Sequence, residues 1–166
     1  MVRDPFLAFH EDHERIRPGL RSLEAALDAA MNRDRAGAAE LATFRESLEL
    51  LRTEGFDHFR REERALLPPL EARIGRFGTL VSVIAYDHEE IRREVGKFED
   101  ALTRLEAKAG TAHGPELREL NRHGIFIVQY LSLHMAKEDS SLAELARKAL
   151  GEEGMREVSR RLEDGG

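Results

Sequence analysis

The chain contains no cysteine, which excludes disulfides, thiolate metal ligands, zinc fingers and thiol redox chemistry together. Proline is scarce, at 5 of 166 residues, so little interrupts long helices. No run of about 18 apolar residues occurs and no basic, apolar leader opens the chain, so a soluble cytoplasmic protein with no membrane partner is expected. Positive charge is in deficit: 26 Lys and Arg stand against 32 Asp and Glu, a net charge of −6. A nucleic-acid partner is therefore not expected.

What is present suits amphipathic helices. Hydrophobic residues make up 41% and charged residues 35%, and a chain of this length buries one core, so a single domain over 1–166 is expected. A first stripe of Phe6, Phe9, His13, Leu20, Leu23 and Leu27 advances in three-, four- and seven-residue steps, as one buried helical face does. Asp4-Pro5 supplies its cap and first turn, and Pro18 is expected to kink it. After a turn at 32–37, a second helix over 38–67 is striped by Leu41, Phe44, Leu48, Leu51, Gly55, His58, Glu62 and Leu66, and stopped by Pro68-Pro69. Gly55 is read as making room beside His58.

A connector through Gly75 and Gly78 leads to a third helix over 79–109, with Leu80, Ile84, His88, Ile91, Val95, Phe98, Leu102 and Leu105 on its apolar face. A loop at 110–115 precedes a fourth helix over 115–150, striped by Leu120, His123, Ile127, Tyr130, His134, Glu138, Leu142 and Leu145. Gly151 and Gly154 are expected to break it, leaving a short fifth helix at 155–162. Connections this short favour antiparallel neighbours.

Two stretches organise the chain. His58-x-x-x-Glu62 and His134-x-x-x-Glu138 each place an imidazole and a carboxylate on one helical face, about 40° and roughly 6 Å apart. They are separated by 76 residues, while Asp12-His13-Glu14-Arg15-Ile16-Arg17 reappears as Asp87-His88-Glu89-Glu90-Ile91-Arg92 at an offset of 75. The second half copies the first. Each half contributes one helix with a single His and one with His-x-x-x-Glu, and in an antiparallel bundle all six groups can meet in the core. His13, His58, Glu62, His88, His134 and Glu138 are thus the candidate ligands of two metal ions. Imidazole and carboxylate suit divalent first-row metals, and with Glu62 and Glu138 bridging, the six residues fill eight of roughly twelve positions on two octahedral ions.

This order, with Glu62-Glu63-x-x-Leu66-Leu67-Pro68 after the second His, closely resembles the hemerythrin-like HHE cation-binding domain over about residues 6–149. The resemblance implies an all-α, up-down-up-down antiparallel four-helix bundle. It also implies an oxo- or hydroxo-bridged non-haem di-iron site, with Zn or Mn as other occupants, and a role in binding or sensing O2, NO or peroxide, in iron handling or in redox defence. Oxygen-carrying hemerythrins resemble a five-histidine site with His-x-x-x-His on the third helix and a bridging Asp on the fourth. Here the positions four before and after His88 are Ile84 and Arg92, and Asp139 points about 100° away from Glu138. The site is either more open or completed by His10 or His123.

His123 shares the face of His134 about 16 Å away and reads as an interior or rim histidine. Tyr130 is placed to hydrogen-bond a ligand carboxylate or to serve as core. Arg17 and Arg92 read as solvated helix-face residues or as partners of carboxylates at the mouth of the site. Three classes stand: a binding or sensing protein, which the pattern favours; a di-iron oxidase, ferroxidase or peroxidase; and a bundle whose metal only stabilises it.

Overall fold

The computed structural model describes residues 4–108 and 114–164. Every element among them is helical: α1 Pro5–Asn32, α2 Ala38–Leu50, α3 Phe56–Ala65, α4 Leu67–Ile74, α5 Leu80–Ala107, α6 Pro115–Lys137 and α7 Ala143–Glu163. Asp4 caps α1 by accepting the Phe6 N–H at 2.9 Å, with Pro5 in the first turn. The helix runs on through Pro18 without interruption, and its stripe residues Phe6 to Leu27 are buried as expected.

The expected second and fourth helices each contain a π-helical turn, at Leu51–Gly55 and Glu138–Leu142. Such a turn inserts a residue into the α register, and both stand within one turn of a candidate ligand. The Gly55 expectation is corrected: a Cβ there would touch only Leu51 Cδ2, at 4.0 Å, so space does not require glycine. The second helix stops before Pro68-Pro69 as expected, α3 ending at Ala65. The two prolines also lie in the first turn of α4, where a missing N–H costs nothing, so a new helix starts at once. Gly75 and Gly78, with φ of 78° and 72°, then turn it into α5. The loop expected at 110–115 lies, as far as residue 113, outside the described residues. Gly151 (φ 62°, ψ −173°) kinks α7, whereas Gly154 is helical.

α1 packs on α2 and α6, α5 on α6, and α3 against α5 and α7, while α4 and α7 pair with each other. The buried apolar residues form two clusters. One holds Ile16, Phe59, Ile91 and Leu131; the other holds Phe9, Leu66, Ile84 and Leu142 beneath α4 and α7. A layer of buried polar side chains lies between them. No helix among the described residues is long and apolar enough to cross a membrane.

Candidate metal centre

The polar layer is made by the six residues singled out above. Each is at most 1% exposed. One helical turn from them, Phe9, Leu66, Ile84 and Leu142 close one side, and Ile16, Ile91 and Leu131 close the other. Phe59 stacks on the His88 ring (4.1 Å, 14°) and meets His134 edge-on, while Phe9 meets His58 edge-on.

All four imidazoles turn Nε2 inward. Glu138 reaches both pairs: Oε2 lies 3.1 Å from His13 Nε2 and 3.3 Å from His58 Nε2, and Oε1 lies 2.7 Å from His134 Nε2 and 3.7 Å from His88 Nε2. Glu62 Oε2 sits between the two halves, 3.2 Å from His88 Nε2 and 3.5 Å from His58 Nε2. Donor atoms of Glu62, His88, His134 and Glu138 lie within 4.8 Å of one another, as do those of His13, His58 and Glu138. Glu138 belongs to both groups.

The outward Nδ1 atoms are held by carboxylates with an approximate twofold relation. Asp12 faces His58 (3.1 Å) and Asp87 faces His134 (3.2 Å), each within its own half of the chain; Glu63 faces His88 (2.8 Å) and Asp139 faces His13 (2.9 Å), each across the halves. A carboxylate at Nδ1–H leaves the lone pair on Nε2, the tautomer that a ligand needs. Each carboxylate has its own cation. Arg61 and Arg15 pair with Asp12, Lys137 with Asp87 at 2.5 Å, Arg92 with both oxygens of Glu63 at 2.9 Å, and Arg17 with Asp139 at 2.6 Å. Tyr130 also donates to Asp87, at 2.7 Å. Burial and the Asp87 charge hold its phenol well above the usual range, so it remains a donor.

Burial would raise the carboxyl groups of Asp12, Glu63 and Asp87, but the facing histidines and cations outweigh it and hold each at about 2. The inner pair is different: the ion pairs of Glu62 and Glu138 among the described residues are with histidines alone, never Lys or Arg. Their charge calls for positive charge at the centre itself. Burial pushes His58 and His88 down, yet Glu62, Glu138 and the outer carboxylates lift them to about 10 and about 11. In the metal-free chain protons meet the demand that a cation meets when bound.

The donor set fits cations. Glu62 Oε1 and Oε2, His88 Nε2, His134 Nε2 and Glu138 Oε1 are buried with no hydrogen bond, although His134 and Glu138 approach to 2.7 Å. Unpaired buried polar atoms cost about 1–3 kcal/mol each, so a cluster of them marks an intended partner. His13 Nε2 and His58 Nε2 face each other at 3.0 Å, close enough to share one proton in the metal-free chain and for a cation to replace that proton. Ligands at about 2.1 Å from an octahedral cation stand about 3 Å apart when adjacent, the spacing found here.

Sequence reasoning missed Asp12, Glu63, Asp87 and Asp139 as supports. Their signal was present: the doublets Asp12-His13 and Asp87-His88, and Glu62-Glu63 and Glu138-Asp139, repeat at the same offsets of 75 and 76. Asp139 does point away from the inner donors, and in doing so reaches His13 on α1. Arg17 and Arg92 prove to be carboxylate partners rather than free surface residues. His123 stays apart, its Nδ1–H donating to Glu94 at 2.6 Å. His10 is exposed and meets Asp139 rather than the inner donors. His113 lies outside the described residues.

Fold and site together define a helical-bundle cation-binding protein with a histidine and carboxylate centre. The chain belongs to the hemerythrin family: the model of the hemerythrin HHE cation binding domain matches residues 4–121. The match includes His13, His58, Glu62 and His88, while His134 and Glu138 follow it and take their place from the geometry above. Neither a curated protein nor a solved structure matches the chain.

Proposed function

We propose that the chain is one domain over 1–166, an up-down-up-down four-helix bundle with a C-terminal helical segment, that holds two iron ions and binds or senses a small oxidant: O2, NO or peroxide. The observation that carries this reading is Glu138, whose two oxygens each face a different histidine pair. His13 and His58 would hold one ion and His88 and His134 the other, with Glu138 and Glu62 between them. Bound there, a pair of irons supplies a reversible redox change and coordination positions free for a small ligand.

The protein's own part is positional. Asp12, Glu63, Asp87 and Asp139 hold each ring by its Nδ1–H, so that Nε2 is the nitrogen that yields to an ion, and the two apolar clusters keep bulk water from the layer. Ile84 and Arg92 occupy the positions four before and four after His88, where a His-x-x-x-His pair would carry its second histidine, which supports a site with more free positions than an oxygen carrier's.

The test is metal analysis with an optical spectrum on iron-loaded protein. Two irons per chain and absorption that changes reversibly with O2 or NO are expected. Glu138→Ala and Glu62→Ala should lose the pair, while His123→Ala keeps it. Steady turnover of peroxide or Fe(II) would replace binding by catalysis, and one zinc without response to oxidant would overturn the reading.

A further inference from the structure

The twofold relation between the halves breaks at one surface position. Asp139 and Glu63 correspond, as do Arg17 and Arg92, and Glu14 and Glu89; the counterpart of His10 is Ala85. Around Glu63, Arg92 completes the support of His88 among the described residues, and Ala85 lines an open cleft with Glu63 and Glu89. Around Asp139 there is an added imidazole. His10 Nδ1 lies 3.2 Å from Asp139 Oδ1, the same oxygen that stands 2.9 Å from His13 Nδ1. Since the other half orients its histidine without such a group, His10 is surplus to that structural task.

We propose that His10 and Asp139 form a peripheral capture site for a divalent first-row cation, from which the inner centre is loaded. The nitrogen-to-oxygen spacing of 3.2 Å matches adjacent positions around one such ion, about 3 Å. His10 Nδ1 and Asp139 Oδ1 are its two ligand atoms, and His13, whose Nδ1–H the same oxygen holds, joins them to the centre. The group also runs inward: the His10 side chain is 53% exposed, Asp139 24% and His13 1%, and His13 carries Nε2 into the centre. Arg17 holds the second Asp139 oxygen at 2.6 Å, which leaves the site little net charge. Weak binding follows, and weak binding suits a site that must release its ion inward.

This inference rests on the proposed metal centre, and one experiment separates the two. Apo protein is titrated anaerobically with Co2+ by calorimetry, and uptake is followed by stopped-flow absorbance at limiting metal. Wild type should take two tight equivalents and one weak one. His10→Ala should keep the tight pair, lose the weak equivalent and load several-fold more slowly. Ala85→His, which restores the imidazole across the twofold, should add a weak equivalent. An unchanged weak equivalent and loading rate in His10→Ala overturns the capture site. A wild type with a His10-dependent weak equivalent but no tight pair overturns the centre and the loading role, and leaves only a surface cation site.

Discussion

Oδ2 of Asp12 on α1 lies 3.1 Å from Nδ1 of His58 on α3, although 46 residues separate them. The contact joins two helices and, through the ring, sets which nitrogen faces the centre. Asp12→Asn keeps the shape and removes the charge. Metal affinity should fall about 10- to 100-fold, as for other groups that orient a ligand, and chelator competition measures it. Asp87→Asn, at the related position facing His134, should lose a similar amount; unchanged affinity in both would deny these carboxylates their positioning role.

Gly124 lies on α6 at a close approach to α1 and α5. A Cβ there would stand 2.6 Å from Leu27 Cδ1 and 3.1 Å from Phe98 Cε2, and both side chains are fully buried. Gly124→Ala should therefore destabilise the apo protein by about 1–3 kcal/mol through overpacking. Chemical denaturation measures the loss. Metal stoichiometry should stay at the wild-type value, because neither neighbour touches the polar layer.

The Glu94–His123 pair makes stability depend on pH away from the centre. Burial would raise the Glu94 carboxyl, but Lys97 at 2.5 Å and His123 at 2.6 Å outweigh it and hold it below its ordinary 4.5. A carboxyl whose folded value is depressed stabilises the fold above the unfolded value, and that contribution fades as pH falls through the folded one. Glu94→Gln should be less stable than wild type at pH 7, by about 1.5–3 kcal/mol for a hydrogen bond to a charged group. The difference should shrink steadily as pH falls below 4.5. Denaturation curves of both proteins across that range test it, and a gap that stays constant into acid would refute the assignment.

Much of this molecule is local in origin. The apolar stripes foretold the buried faces of α1 and α5 closely, because helical periodicity is a property of neighbouring residues. The repeat at 75 and 76 residues marked all six inner donors, since each half needs the same groups at the same spacing. The π-turns, the helical role of Pro68-Pro69 and the irrelevance of Gly55 to space were not readable. Each depends on what another helix packs against that stretch.

The sequence by itself determined that the chain is helical, that two histidine and carboxylate sets repeat, and which six side chains share buried faces. Tertiary structure alone decided how the halves exchange support, with Glu63 reaching His88 and Asp139 reaching His13. It also decided that Glu138 touches both histidine pairs, and that His10 turns to Asp139. Helical spacing specifies direction around one axis; distance and partner between axes are set only when the helices pack.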